Sequence, residues 1–252
     1  MSGHSKWATI HRQKEVTDAK RGQIFTKLAS AIAIAVREGG GTADPNSNFK
    51  LRLAIEKARQ LNMPNENIQR AIERGSGGAG AGKWEEVTYE GYGPGGVAVM
   101  VEATTDNKQR TSQVIKTTFD RGGGSLAGPG AVAFQFEKKG FLTLVKPANV
   151  DEATLQIIDM GVEDVEEGID VMEVYTKPEE VDLVKRKLEK AGFEVLSFEQ
   201  IMKPKTLVEI TDKEKAKQIL SFIEKFEELD DVQRVSANFD ISENLLKEIQ
   251  GS

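Results

Sequence analysis

The sequence predicts an α+β multidomain chain: a helical head followed by two small α/β domains, one inserted in the other. Three observations carry this expectation. Apolar residues recur at helical spacing as far as Ile72, and beyond Val97 the period shortens to that of strands alternating with helices. Between the two regimes lies Gly75-Ser76-Gly77-Gly78-Ala79-Gly80-Ala81-Gly82, a flexible linker by composition.

The first helix is expected over Asp18–Arg37, where Ile24, Leu28, Ala31 and Ala35 recur on one face and Phe25, Ile32 and Val36 widen the stripe. Gly39-Gly40-Gly41 ends it. A second helix, about Asn48–Leu61, aligns Leu51, Ala54, Ile55, Ala58 and Leu61, and Met63-Pro64-Asn65 breaks it. A short third helix turns Ile68, Ala71 and Ile72 inward. Short loops between three such helices predict a three-helix bundle over residues 1–76.

Val97–Thr104 reads as a strand, Arg110–Arg121 as a helix and Val132–Phe136 as a strand. Leu142–Val145, Val162–Glu166, Asp170–Tyr175 and Phe193–Ile201 read as strands, with helices over Asp151–Met160 and Pro178–Ala191. That order, βαββαβ, is the split βαβ of ferredoxin-like domains. A trailing strand Leu207–Ile210, helix Asp212–Glu228 and strand Val232–Ala237 lack partners of their own. Pairing them with the leading strands gives two ferredoxin-like α/β domains, one inserted in the other. Residues 77–136 plus 206–252 form the split domain, and 137–205 the insert.

Charge divides along the same lines. Residues 1–76 hold 13 Lys and Arg against 7 Asp and Glu; the remaining 176 residues hold 21 against 33. Within 141–204 there are 15 acids and 7 bases. A basic head on an acidic body points to a polyanion, because phosphate rewards clustered Lys and Arg through counterion release. Lys6, Arg12, Lys14, Lys20, Arg21 and Lys27 lie close together in sequence, with Trp7 and His11 among them. On the second helix Lys50 and Lys57 flank one side of the apolar stripe, and Arg52 and Arg59 the other. An ordinary solvated helix would carry balancing acids, yet residues 1–37 hold 7 bases and only Glu15 and Asp18.

Other chemistries find little support. The absence of cysteine removes disulfides, thiol nucleophiles and thiolate metal sites, and His4 and His11 are the only histidines. No metal and no cofactor are expected. Gly75, Gly77 and Gly80, and again Gly91, Gly93 and Gly96, match G-x-G-x-x-G. The first set follows a helix and the second runs into a strand, whereas a dinucleotide fingerprint leaves a strand and opens a helix. Gly77–Lys83 approaches a phosphate-binding loop, but Trp84 stands where the magnesium-binding hydroxyl belongs. No G-x-S-x-G occurs. The chain is expected not to be an enzyme and to have no small-molecule substrate. No apolar run reaches the roughly 18 residues of a membrane span, and the amino end has no apolar signal core, so a cytoplasmic location is expected.

A second contact surface is suggested by Tyr92-Gly93-Pro94-Gly95-Gly96, whose small residues permit close backbone approach. Thr104-Thr105-Asp106-Asn107 then caps the helix carrying Lys108 and Arg110, whose N-terminus can receive a phosphate. Plain turn and cap formation explains the same residues.

Gly3-His4-Ser5-Lys6-Trp7, Asp18-Ala19-Lys20-Arg21-Gly22 with Phe25 and Lys27-Leu28, Asn62-Met63-Pro64 with Asn67-Ile68 and Arg70-Ala71-Ile72, Gly91–Ala98, and Thr105-Asp106-Asn107 with Arg110-Thr111 stand in order over most of residues 3–136. In these blocks the chain resembles the YebC/PmpR family. Glu15 dilutes the run after Trp7, which is more basic in the family, and Leu126-Ala127 replaces the usual Leu-Gly step.

The resemblance implies an N-terminal helical bundle with two α/β domains, and no established enzyme. Family members are described as probable DNA-binding transcriptional regulators; a mitochondrial relative is a translational activator. Bacterial members are also described as translation factors that relieve ribosome stalling at proline-rich stretches. The expected partner is therefore nucleic acid, either DNA or ribosomal RNA on the ribosome, without a membrane. Lys6, Lys14, Lys20, Arg21, Lys27, Lys50 and Arg52 are expected on phosphate, with Arg12 beside them and Trp7 stacking on an exposed base. The acidic insert would repel the polyanion and so fix its orientation.

Overall fold

The protein is described by a computed structural model covering residues 18–77, 84–168 and 170–250. In chain order the first elements are α1 (Asp18–Glu38), α2 (Phe49–Gln60), α3 (Asn65–Gly75), β1 (Glu85–Tyr92), β2 (Ala98–Thr105), α4 (Lys108–Arg121) and β3 (Ser125–Ala127). Next come β4 (Phe136–Val145), α5 (Val150–Ile158), β5 (Asp164–Glu167), β6 (Val171–Thr176), α6 (Val181–Lys190), β7 (Val195–Pro204) and β8 (Val208–Ile210). Last are α7 (Lys213–Glu227), β9 (Val232–Ala237), β10 (Phe239–Ile241) and α8 (Glu243–Gln250). The described residues fall into two compact units: 18–132 with 212–235, and 133–211 with 236–250. The architecture is mixed α/β, and its two four-stranded sheets have the orders β3-β1-β2-β9 and β5-β6-β4-β7.

In the first unit, α1, α2 and α3 share one apolar core built from the stripes seen in the sequence. Leu28, Ile32 and Val36 meet Leu51, Ile55 and Ala58, and Ile68, Ala71 and Ile72 complete it with Met63. The corner between α1 and α2 is held by Asn48. Its carbonyl accepts from Leu51 N at 3.1 Å, capping α2, and its amide donates to Ala35 O at 2.7 Å, near the end of α1. A Cβ at Gly39 would lie 2.1 Å from that amide nitrogen, so glycine there has a packing cause.

β1 and β2 are antiparallel over their whole length, from Glu85↔Thr105 to Tyr92↔Ala98. Beneath their sheet, Phe119 of α4 meets Phe222 and Phe226 of α7, with ring centroids 5.6 and 4.7 Å away and the latter two 5.1 Å apart. Phe222 also explains the glycine runs around it. A Cβ at Gly122 would stand 2.2 Å from its ring, and one at Gly93 or Gly124 2.9 Å from it.

In the second unit, β4–β7 form an antiparallel sheet. Leu142 and Leu144 of β4, and Met172 and Val174 of β6, are fully buried on the face that carries α6. A Cβ at Gly140, on that same face, would stand 2.8 Å from Val181 Cβ, and Lys185 of α6 lies 4.1 Å over the Phe198 ring. The opposite face mixes charged residues such as Glu173 and Lys203 with the buried Phe141 and Tyr175.

Three expectations are corrected at the level of elements. Val132–Phe136 is not a strand: residues 133–135 form a 3₁₀ turn and Phe136 opens β4. The buried Glu90 carboxylate accepts from Gly130 N at 2.7 Å and Val132 N at 2.8 Å, so backbone donors that a ladder would use are already engaged. Leu207–Ile210 does not join the split sheet; β8 pairs in parallel with β10 in the second unit. β1 itself was not expected from the sequence, because its acids Glu85, Glu86 and Glu90 mask the apolar alternation of Val87, Tyr89 and Gly91.

Candidate nucleic-acid interface

Lys6, Trp7, Arg12 and Lys14 lie outside the described residues. Lys20 and Arg21 fall in the first turn of α1, whose backbone alone is described there. For the other three head residues the structure gives partners.

Lys27 does not face outward as expected. Its ammonium donates to the carbonyl of Glu227, at the end of α7. Burial lowers its pKa, opposed by Glu227 and Asp230 nearby. A helix C-terminus presents unsatisfied carbonyls and partial negative charge, and a lysine tucked there ties α1 to α7. Lys50 is half exposed and pairs with Glu38 at 2.5 Å. Arg52 donates to Pro45 O at 3.2 Å and lies 5.7 Å over the Phe49 ring. A phosphate reaching Arg52 would compete with these contacts, whereas the exposed Lys50–Glu38 pair exchanges at little cost.

Two cations omitted from the expected set are better placed. Arg59 near the end of α2 and Arg74 near the end of α3 are exposed, with no ion pair among the described residues. Their signal was present: both stand off the apolar stripe of their helices. Lys57 shares the helix but is half-buried.

The second surface separates into a loop and a helix start. Tyr92 donates its hydroxyl to Ala131 O at 3.1 Å while the residue stays 37% exposed. Gly93 is held by packing against Phe222, so its glycine needs no ligand. Gly95 and Gly96 both have φ of +77°, which makes them turn residues. Open space surrounds the Cβ position of Gly96, and the exposed Lys215 of α7 runs past Gly95, 3.3 Å from its Cβ position. Lys215 was absent from the expected set, though Lys213, Lys215 and Lys217 cluster visibly in the sequence.

At the start of α4, Asn107 accepts from Arg110 N at 3.1 Å as the helix cap. Arg110 binds Asp106 at 2.8 Å and Asp231 at 3.0 Å. The hydrogen bonds it donates to Asp231 and Asp106 hold its guanidinium above the usual arginine range. Thr111 Oγ1 lies 2.6 Å from Asp231 Oδ2 and 2.7 Å from Thr105 Oγ1. A carboxylate only accepts, so Thr111 donates to Asp231. Asp231 thus engages the side chains of Arg110 and Thr111, which corrects the expectation that Arg110 is open to an anion. Of the residues expected here, Lys108 alone is exposed with no partner among the described residues. Further along the helix, α4 and α7 border an open cleft of about 500 Å³ lined by Gln113, Val114, Thr117, Thr118, Arg121 and Lys225.

Among the described residues no group of His, Cys, Asp and Glu could hold a metal ion, and no helix is long and apolar enough to cross a membrane.

Residues 5–78 match the family model of the TACO1/YebC protein N-terminal domain, and 84–239 that of the TACO1/YebC second and third domain. A protein named probable transcriptional regulatory protein from Chloroflexus aggregans is 50% identical over 98% of both chains. One of the same name from Rubrobacter xylanophilus is 49% identical over 100% of both. A crystal structure of a conserved hypothetical protein from Aquifex aeolicus superposes with a TM-score of 0.82 at 44% identity, covering 90% of this chain and 93% of that one. This chain belongs to the TACO1/YebC family.

Proposed function

We propose that this chain is a non-enzymatic regulator of gene expression that binds nucleic acid, with the helical head making the phosphate contacts. The observation that carries the proposal is the exposed, unpaired cations on the helical head, Arg59 and Arg74, in a region whose bases outnumber its acids. The names of the relatives, probable transcriptional regulatory proteins, point the same way. Lys6, Arg12, Lys14, Lys20 and Arg21 are assigned further phosphate contacts on their charge alone, and Lys50 adds one by releasing Glu38. Lys108 and Lys215 offer a smaller basic surface.

DNA is the leading target. Four residues, Leu61–Pro64, join α2 to α3, with Asn62 in the left-handed region at φ +59°. A connection of that length is the one helix-turn-helix readers use. Among the outward residues of α3, Asn65, Gln69, Arg70 and Arg74 are of the types that bond base edges, beside the exposed acids Glu66, which pairs with Arg70 at 3.1 Å, and Glu73. The ten-residue connection between α1 and α2 favours a second reading, shape-dependent binding to ribosomal RNA as a translation factor.

The proposed organisation has a three-helix bundle and two α/β domains, the second inserted in the first. The return of α7 and β9 to the neighbourhood of β1–β3 supports the insertion. The strand order β7-β4-β6-β5 supports a ferredoxin-like insert.

Nuclease footprinting and ribosome co-sedimentation on the same protein separate the targets. The proposal expects a defined footprint on DNA, lost when Gln69 and Arg70 are both changed to alanine. Sedimentation with ribosomes and no footprint transfers the site to RNA. Neither result at about 50 mM salt rejects nucleic-acid binding altogether.

A further inference from the structure

Helices α5 and α6 of the second unit leave large apolar side chains in water: Leu155 is 67% exposed, Ile158 50% and Leu183 50%. On α5, Ala153 and Ile157 are buried, and Leu155 stands on the other side of the helix. Asp151 and Asp159, one turn before and after Leu155, share its face. On α6, Val181, Val184 and Leu188 are buried, while Leu183, Lys187 and Lys190 form an exposed stripe. Lys187 donates to Met160 O at 2.8 Å, two residues past Ile158, so the two exposed stripes adjoin.

The stripes are opposite in charge. Residues 150–159 hold Asp151, Glu152 and Asp159 and no base. Helix α6 holds Lys185, Arg186, Lys187 and Lys190 against Asp182 and Glu189. Those two acids already have partners: Arg186 pairs with the buried Asp182, and Lys185 lies 3.8 Å from Glu189. Glu152 accepts from the Asn149 amide at 3.0 Å. Asp151, Asp159 and Lys190 are exposed with no ion pair among the described residues. A single exposed leucine is ordinary on a protein surface. Three apolar side chains set between an acidic and a basic stripe make a face that is complementary to itself after a twofold rotation.

We propose that this face pairs with the same face of a second copy of this chain. A twofold axis between the helices lays α5 of one copy on α6 of the other, and the contact is made twice. Leu155, Ile158 and Leu183 form its apolar centre, and Asp151 and Asp159 of each copy face Lys187 and Lys190 of the other. Helices of nine and ten residues supply a small interface. At about 1,000 Å² in total it gives a weak, reversible dimer with Kd on the order of 10 µM. The pairing needs no nucleic acid, so its test stands apart from that of the proposed function.

The test is sedimentation equilibrium on the full chain, free of nucleic acid, at low salt and from about 1 to 100 µM. The mass should rise with concentration from 27.7 kDa toward twice that value. Asp151→Lys/Asp159→Lys and Lys187→Glu/Lys190→Glu each set like charges against one another in both halves of the contact. Each should weaken association about tenfold or more. Mixed together, the two variants should recover the affinity of the unaltered protein, because every pairing is again between opposite charges. Leu155→Ser should also weaken association while the thermal midpoint stays put, since that side chain already stands in water. A mass of 27.7 kDa at every concentration overturns the proposal. So does a dimer indifferent to Leu155→Ser or to the charge reversals, or a mixture of the two folded variants that stays monomeric.

Discussion

Lys27 and Lys203 are both lysines drawn out of solvent, yet they do different work in the two units. Lys27 donates a hydrogen bond to a helix-end carbonyl, and burial lowers its pKa, so it serves as an internal tie in a region rich in bases. Lys203 lies between two carboxylates and over an aromatic ring, in a region rich in acids. Charge counts along a chain therefore locate a surface only after the inward-turned cations are removed. In the basic region that correction takes away Lys27, loosens the case for Arg52, and brings Arg59 and Arg74 forward. In the acidic region it leaves Glu173 short of a partner.

The same contrast holds for the glycines and the cations. Gly93, Gly122 and Gly124 answer to packing against Phe222, whereas the exposed Arg59 and Arg74 have no ion pair among the described residues. The largest expected effect tests this. Gly122→Ala places a methyl 2.2 Å from the Phe222 ring and should cost about 3 kcal/mol or more in urea unfolding, with nucleic-acid affinity unchanged under conditions where the variant is folded. Stability kept with affinity lost would return the loop to the candidate site.

Asn48→Ala comes next. It removes the cap of α2 and leaves the Ala35 carbonyl without its buried donor, for a loss of about 2 kcal/mol in thermal unfolding. A change of only a few tenths would mean that the α1–α2 corner is held by apolar packing alone.

Lys27→Met should leave the salt dependence of nucleic-acid binding as it is, whereas Arg59→Ala should reduce its log–log slope by about 1. Titrations at several salt concentrations distinguish the two, and equal effects would erase the distinction between inward and outward cations.

The smallest effect concerns Glu86, whose pKa is raised by burial and by Glu38 beside it. A carboxyl with a raised folded pKa opposes folding once ionised. That opposition is absent below the unfolded value of about 4.3, grows as pH rises, and is complete above the folded pKa. Glu86→Gln should therefore raise the urea midpoint at pH 7 and leave it unchanged near pH 4. The reverse order would mean that Lys50, not burial, governs this carboxyl.

Helices and their buried faces were legible because a repeating apolar stripe is a local property of the chain: Ile32, Leu51 and Ile68 all lie where the spacing put them. Strand β1 was not legible, since Glu85, Glu86 and Glu90 interrupt its alternation and Glu90 serves residues some forty positions away. Nor was the fate of Lys27, whose partner lies 200 residues along the chain. The outward setting of Arg59 could be read from its helix position alone. The capture of Arg110 by Asp231 needed the fold.

The central claim is that cations of the helical head grip a sugar-phosphate polymer. It is tested most directly by the affinity of the full chain for duplex DNA and for structured RNA across salt, beside the quadruple variant Lys20→Glu/Arg21→Glu/Arg59→Glu/Arg74→Glu. The account predicts that the variant stays folded, that its affinity falls by about a hundredfold or more at low salt, and that its salt slope drops by roughly 3 to 4. Equal affinity and an equal slope in the two proteins, for both polymers, would contradict it.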